Sequence, residues 1–404
     1  MRNSYKSGEP TITKKSRDLH LRWPRCWFSL WHGPLYVLFS CCLALAQSQT
    51  EKISSFSHFR PRMEIAGEKY AGNEACADCH GQKIRLQSHT AMARALRNAA
   101  ESKVLQSHPR MTVRVAQYLY EISSNGKQSF YSVTDGKQTI KEPILFAFGD
   151  GYVAQTYVLF RGDKLYEGRV SYYSGIDGLD WTLGDALDSP PSLEEAFGRD
   201  ISGDEARNCF SCHSTRAVVN NKLQLENLTP GVNCEACHGP GARHVAAMRS
   251  GTGTELYTFN PKKLDPDTLS QEFCGACHRS ANTVGMMPDL GGINNVRFQP
   301  YRMANSRAHN PNDRHFACTA CHDPHLDLQQ ETSLYDSQCT SCHTPQTSPT
   351  IGKRLLRAAE PKACPVAKDR CVSCHMPKVE LPGSHFKFTD HRIRIARPGE
   401  KYPV

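Results

Sequence analysis

Seven pentapeptides of the form Cys-x-x-Cys-His carry the clearest chemistry in this chain. In chain order, and numbered motif 1 to motif 7, they are Cys76–His80, Cys209–His213, Cys234–His238, Cys274–His278, Cys318–His322, Cys339–His343 and Cys371–His375. Two thiols at this spacing can add to the vinyl groups on one edge of a haem, while the histidine that follows becomes an axial ligand of the iron. The pattern therefore predicts covalently attached haem c.

Other uses of paired cysteines explain the pattern less well. Zinc sites, iron–sulfur sites, redox-active dithiols and structural disulfides all use Cys-x-x-Cys pairs, but none requires a histidine directly after the second cysteine. All seven pairs have that histidine. We therefore expect seven haems, attached through Cys76, Cys79, Cys209, Cys212, Cys234, Cys237, Cys274, Cys277, Cys318, Cys321, Cys339, Cys342, Cys371 and Cys374. The proximal iron ligands are then His80, His213, His238, His278, His322, His343 and His375.

The ligand on the other side of each iron separates an electron carrier from an enzyme. An iron with two protein ligands exchanges electrons, whereas an open position lets a substrate bind. The strongest candidates for the second ligand are His89, His244, His325, His385 and His391, while His58, His108, His309 and His315 stay open. Thioether ligation by Met92, Met248 or Met376 is a weaker alternative, because methionine on a helix face usually serves packing.

The rest of the chain must position these motifs with little aliphatic material. Hydrophobic residues make up 39% of the 404 residues, and the first cysteines of successive motifs follow no fixed period. We expect a mainly α-helical fold with much irregular loop, a multihaem cytochrome c fold packed around its haems. Composition predicts one helix over residues 82–105 and a short one over 242–249.

One long interval between motifs has a different composition. Residues 111–173 contain alternating runs rich in Tyr, Val and Phe, and Asn125-Gly126 and Asp135-Gly136 separate these runs as hairpin turns do. This pattern predicts an inserted small antiparallel β unit. The domain organisation that we expect is a signal peptide at 1–46, a first haem-binding segment at 47–110, the insert at 111–173, a linker at 174–208 and a six-haem region at 209–404.

The first 46 residues indicate export. Basic residues precede an apolar run that ends Ala44-Leu45-Ala46, a typical cleavage signal. Seven Lys or Arg and two Asp or Glu lie in this segment, so the formal net charge of +9 falls to +4 for the remainder. This modest charge gives no support for nucleic-acid binding. No later stretch is long and apolar enough to predict a membrane span.

The contexts of several motifs resemble a known family. Tyr70-Ala71-Gly72 before motif 1, Gly239-Pro240-Gly241 and His244 after motif 3, His322-Asp323-Pro324-His325, and the closing Asp390-His391-Arg392 resemble the tetrahaem cytochrome c of ammonia oxidisers. That family is related to cytochrome nitrite reductase and hydroxylamine oxidoreductase. The resemblance implies that His244 and His325 are distal ligands to haems of other motifs.

Together these observations predict an electron carrier in respiration, located in the periplasm or on the outer cell surface. The expected partners are redox proteins or a quinol-linked membrane oxidoreductase. The alternative is an oxidoreductase that acts on a small nitrogen or sulfur compound at one five-coordinate haem, with Arg302, Arg307 or His309 on the substrate side. The Cys-x-x-Cys-Lys motif of related nitrite reductases does not occur in the sequence.

Overall fold

The computed structural model describes residues 58–184, 188–251, 256–287, 291–311, 313, 315–343, 364–397 and 399–403. The predicted signal peptide lies outside these residues. The helices are α1 Asn73–Gln87, α2 Lys103–Ser107, α3 Leu193–Phe197, α4 Asp204–His213, α5 Cys234–His238, α6 Ala242–Ser250, α7 Gly275–His278, α8 Ala281–Gly285, α9 Gln299–Ala304, α10 Cys318–Cys321, α11 Asp336–His343 and α12 Cys371–His375. Within the described part of the chain, no helix is long and apolar enough to cross a membrane.

Ten strands form one antiparallel sheet between motif 1 and motif 2. They are β1 Leu96–Asn98, β2 Arg110–Val115, β3 Tyr118–Ser124, β4 Ser129–Thr134, β5 Thr139–Phe148, β6 Ala154–Arg161, β7 Lys164–Gly168, β8 Val170–Tyr173, β9 Gly178–Trp181 and β10 Gly198–Asp200. The main order is β10-β7-β6-β5-β4-β3-β2, while β1 pairs with β5 and β8 bridges β6 and β9. The other strands of the described residues form three short antiparallel pairs. They are β11 Ser214–Thr215 with β14 Thr229–Pro230, β12 Val218–Val219 with β13 Lys222–Leu223, and β15 Lys378–Leu381 with β16 Phe386–Thr389.

Side-chain alternation explains why this segment forms strands. Buried and partly exposed residues alternate along β3 and β4, so one face of each strand contributes to the core. Tyr120, Tyr131, Tyr157 and Leu159 are completely buried in that core. The turn between β3 and β4 is closed by the Asn125 side chain, whose Oδ1 accepts from the amides of Lys127 and Gln128.

The prediction of a mainly α-helical fold is wrong. The sheet is far larger than a small insert, since it takes in β1, β9 and β10 beyond residues 111–173. Most helices are only one or two turns long. The physical reason is that the 133-residue interval buries its own aromatic core in a sheet, whereas the motif segments need only a helical turn each.

The predicted helix over 82–105 is also shorter than expected. The helix α1 ends at Gln87, and Leu96 pairs with Phe148 as part of β1. Leu96 is completely buried, together with Phe210 and Val158. Tertiary pairing with β5 therefore overrides the helical propensity of this Ala- and Arg-rich stretch. The predicted helix over 242–249 is present as α6.

The sheet packs directly against the helix that carries motif 2. Phe210, between Cys209 and Cys212, has its ring centroid 5.3 Å from Phe146 and 5.1 Å from Phe148, both in β5. Ile201 and Ala206 complete this buried cluster at the start of α4. The sheet thus fixes the position of motif 2 within the fold.

Candidate haem-attachment sites

Every motif contains a helical turn. Motifs 1, 2, 3, 6 and 7 lie wholly within α1, α4, α5, α11 and α12, while motifs 4 and 5 use α7 and α10. Helical geometry puts cysteines at positions i and i+3 on one face, so both thiols of a motif can meet the same edge of a planar group. The motif cysteines whose side chains the structure describes are all free thiols. They are therefore available for thioether bonds.

Three motif histidines lie opposite histidines from elsewhere in the chain. The ring centroids of His80 and His244 are 6.4 Å apart and the two planes differ by 20°. For His238 and His325 the values are 6.1 Å and 10°. His322 and His391 lie 6.3 Å apart with planes at 41°.

These separations are too long for stacked rings and suit two ligands of one metal. An imidazole nitrogen lies about 2.0 Å from a bound metal and about 1.1 Å from its ring centroid, so two ligands in line have centroids about 6.2 Å apart. Stacked rings would make van der Waals contact at about 3.5–4.0 Å. The three pairs therefore fit a haem iron held between two histidines.

Hydrogen bonding prepares several of these rings for metal binding. Backbone carbonyls bind Nδ1 of His213, His238, His244, His375 and His391 at 2.7–3.1 Å, through Ala95, Phe259, Leu256, Arg394 and Thr389 in that order. A carbonyl can only accept, so Nδ1 must carry the proton and Nε2 keeps its lone pair. This outer contact also fixes the orientation of the ring.

Burial keeps the interior histidines neutral. Desolvation lowers the pKa of His213, His238, His278 and His322 below the ordinary value, and lowers that of His391 to about 4. Only a neutral imidazole can bind a metal. These rings are therefore in the ligand-competent form at neutral pH.

A buried carboxylate joins motif 1 to motif 3. Glu235 is only 5% exposed. Its Oε1 accepts from the amides of Ala71 and Gly241 at 2.7 Å each, and its Oε2 accepts from Gly72 at 2.9 Å. Sequence reasoning missed this residue, although an acidic side chain between the two cysteines of a motif, near two glycine-containing segments, was a visible signal. Glu235 fixes the segment before motif 1 against the loop after motif 3.

A second carboxylate joins motifs 6 and 7. Asp336, at the start of α11, accepts from the backbone amides of Arg370 and Cys371 at 2.6 and 2.8 Å. These hydrogen bonds lower the pKa of Asp336. The N-terminal ends of α11 and α12 are therefore held together by one side chain.

The other candidate histidines have different surroundings. Nε2 of His385 is 2.7 Å from Asp180, and Nε2 of His309 is 3.1 Å from Asp267. Both ring nitrogens of His108 are hydrogen-bonded, Nδ1 to the Val104 carbonyl and Nε2 to the Asp177 carboxylate. His89 and His315 are exposed. These five lie in no histidine–histidine pair of the kind described above within the structurally described chain. For His89 and His385, the ligand assignment from sequence stays a prediction.

Arg302 is used structurally rather than at a substrate site. It is completely buried, and its donors reach both oxygens of Asp390, the Asn295 side chain and the Pro403 carbonyl. All three guanidinium nitrogens donate to groups inside the protein. This residue therefore gives no support to the enzymatic alternative.

Comparisons with known proteins agree with the haem interpretation. The family model described as "Cytochrome c554 and c-prime" matches residues 190–239, which contain motifs 2 and 3. The curated "Multiheme cytochrome MtrA" of Shewanella baltica (strain OS185) is 24% identical over 206 residues. That match covers 48% of this chain and 52% of the relative, so the chain spans about half the length of the curated relative it matches.

The crystal structure of the outer cell wall cytochrome OcwA overlays with a TM-score of 0.37 and 17% identity, covering 80% of this chain and 79% of that one. At that score the overlay carries no argument about the fold. A specific relation to the tetrahaem cytochrome of ammonia oxidisers or to hydroxylamine oxidoreductase is not part of these matches.

Proposed function

We propose that the chain is a multihaem c-type cytochrome that holds seven covalent haems and conducts electrons between redox partners outside the cytoplasm. The observation that supports this proposal most directly is a set of three histidine pairs. The two rings of each pair are separated by the distance expected for two ligands of one metal ion, in a chain with seven Cys-x-x-Cys-His motifs. Bound haem supplies reversible one-electron chemistry at iron. The residues of this chain attach it, orient its ligands and bury it.

The proposed axial pairs are His80 with His244, His238 with His325, and His322 with His391. Each pair joins a motif to a residue from a later segment, so ligation also ties the chain together. Two histidines leave no open coordination position, which suits electron exchange and not substrate binding. The second ligands for motifs 2, 4, 6 and 7 are not assigned, and His89 and His385 stay candidates for them.

The proposed location is the periplasm or the outer cell surface. The supporting feature is the predicted export segment at 1–46. The proposed partners are redox proteins or a quinol-linked membrane oxidoreductase.

Mass spectrometry and EPR spectroscopy together test this proposal. Protein from a host that matures c-type cytochromes should be heavier than the processed chain by seven haems. The ferric protein should give mainly low-spin EPR signals, as two-histidine ligation requires. A mass equal to the bare polypeptide, or a spectrum dominated by high-spin iron, would contradict the proposal.

The enzymatic alternative makes a different spectroscopic prediction. It needs one iron with an open position, which would bind CO in the reduced protein. The number of CO molecules bound per chain therefore distinguishes the two functions. A pure carrier binds none, whereas an enzyme with one open site binds one.

A further inference from the structure

Thiols from different motifs meet in pairs, and the pairs do not follow chain order. The Cys76 thiol of motif 1 lies beside the Cys234 thiol of motif 3, in the junction that Glu235 holds together through the amides of Ala71 and Gly241. The Cys212 thiol of motif 2 lies beside Cys277 of motif 4, and its sulfur is 3.9 Å from the carbonyl oxygen of Ala276 in the same motif. Motif 1 thus adjoins motif 3, and motif 2 adjoins motif 4.

Motif 4 is the centre of these contacts. Its Cys274 thiol lies beside Cys318 of motif 5, whose backbone amide donates to the Ser270 hydroxyl just before motif 4. Cys237 of motif 3 packs against the same buried cluster as Cys274, which contains Phe259 and Phe273. Motif 4 therefore adjoins motifs 2, 3 and 5.

The remaining contacts continue from motif 5 to motif 7. The ring of His322 in motif 5 lies 5.6 Å from that of Tyr335, directly before α11, and Cys339 of motif 6 lies near Cys321 of motif 5. Cys339 is also hydrogen-bonded to Cys371 of motif 7, where Asp336 holds the two helices together. These contacts place motif 6 between motifs 5 and 7.

From these contacts we infer that the electron route runs through motifs 1, 3, 4, 5, 6 and 7 in that order, with motif 2 as a side branch on motif 4. The inference rests on the proposed function. A thioether sulfur is bonded to the edge of its porphyrin, so two motifs whose thiols touch must bring two porphyrin edges together. Electron exchange falls steeply with the distance between such edges, so it follows the adjoining motifs, including motifs 3 and 4, whose cysteines pack on one buried cluster.

The surroundings of motif 2 agree with a side position. Its helix α4 packs on the sheet through Phe210, and the ring of His213 lies 5.2 Å from that of Phe148. The sheet therefore covers part of motif 2. The route consequently has ends at motifs 1 and 7 and a third end at motif 2.

Voltammetry of the full-length protein anchored through Cys364 can count the haems on each part of the route. This thiol is exposed, and the backbone amides of Val366 and Ala367 lower its pKa, which favours attachment to gold. Cys364 precedes Cys371 by seven residues, so the anchor lies within about 24 Å of motif 7. The charge exchanged per molecule at fast scan rates counts the haems still connected to the electrode, and C364S controls for orientation.

Two matched variants, each lacking the thiols of one motif, decide the order. C209A/C212A should lose the charge of one haem, because motif 2 is a branch. C234A/C237A should lose the charge of two, because motif 1 is then cut off. If C209A/C212A loses the charge of two haems and C234A/C237A that of three, the route follows chain order. If each variant loses the charge of one haem, the haems form a densely connected cluster. Either result would overturn the inference.

Mass spectrometry on the same samples keeps the two proposals separate. Each variant must carry one haem fewer than the parent protein. If the parent itself carries fewer than seven haems, the proposed count fails whatever the voltammetry shows. If C234A/C237A does not accumulate, C318A/C321A replaces it in the voltammetry. This variant should lose the charge of five haems if the route is branched, and the charge of one haem if the haems form a cluster.

Discussion

The guanidinium of Arg302 and the carboxylate of Asp390 form a two-point ion pair in which neither side chain has any exposed surface. The pair joins α9 to the closing segment of the chain. His391, which lies opposite His322, is the next residue after Asp390. The ion pair therefore holds one proposed haem ligand in place from outside the motifs.

Breaking this pair should destabilise the protein strongly. R302Q leaves Asp390 buried without its main partner, and such a loss costs about 3–5 kcal/mol in the free energy of unfolding. Chemical denaturation of the holoprotein measures the change. The control is R110Q, which breaks the pair of Arg110, a side chain 72% exposed, with Glu121. That change should cost no more than about 1 kcal/mol, so equal effects would contradict the structural role of Arg302.

Replacing one proposed distal ligand should change the iron of one haem from low-spin to high-spin. We expect H325G to give one high-spin ferric centre and to bind one more CO molecule per chain in the reduced state, because His325 lies opposite His238. EPR spectroscopy and CO titration measure these changes. The exposed His315 provides the control H315G, which should leave both measurements unchanged. An H325G protein with the parent spectrum would remove this pair from the assignment.

Loss of the Glu235 carboxylate should loosen the junction of motifs 1 and 3. E235A leaves the amides of Ala71, Gly72 and Gly241 without their acceptor, and each buried unsatisfied donor costs about 1–3 kcal/mol. E235Q should be milder, because its amide oxygen can still accept two of the three bonds. Denaturation midpoints should therefore rank parent, E235Q and E235A from highest to lowest. The reverse order of the two variants would exclude this explanation.

Packing between the sheet and motif 2 should depend on Phe210. F210A removes a completely buried ring, and such a change costs about 3–5 kcal/mol. We also expect a larger fraction of chains with one haem fewer, visible by mass spectrometry, because the change lies inside motif 2. F160A, at a ring that is 37% exposed, is the control and should leave the haem count unchanged.

The edge of the sheet should lose stability in acid. The hydrogen bond from Lys164, with those from the Ser202 hydroxyl and amide, lowers the pKa of Asp200 to about 2. A carboxyl with a depressed pKa in the folded state stabilises the fold above its unfolded value of about 4, and this stabilisation is lost as the pH falls toward 2. The melting temperature of D200N should therefore fall less than that of the parent between pH 4 and pH 2.

The control for this titration is D163N, which removes a carboxylate from the neighbouring β6–β7 turn. It should retain the acid sensitivity of the parent protein. Parallel curves for the parent and D200N would show that the Lys164–Asp200 pair does not contribute.

The sequence by itself predicts the chemistry of attachment, because thioether bonding and the proximal ligand depend on five adjacent residues. The strands of the interval between motifs 1 and 2 were also readable, since alternation along β3 and β4 is local. The fold class could not be predicted from the sequence. Leu96 lies in a strand because Phe148 is its neighbour, and no local pattern encodes that pairing.

Only the tertiary structure decided which residues from distant segments meet. His80 lies opposite His244, 164 positions later. The Glu235 carboxylate accepts from the amide of Ala71, which is also 164 positions away, and from the amide of the nearby Gly241. The contacts of Cys76 with Cys234 and of Cys212 with Cys277 have the same origin. Such meetings depend on how the whole chain packs, whereas composition and spacing report only what each segment can do alone.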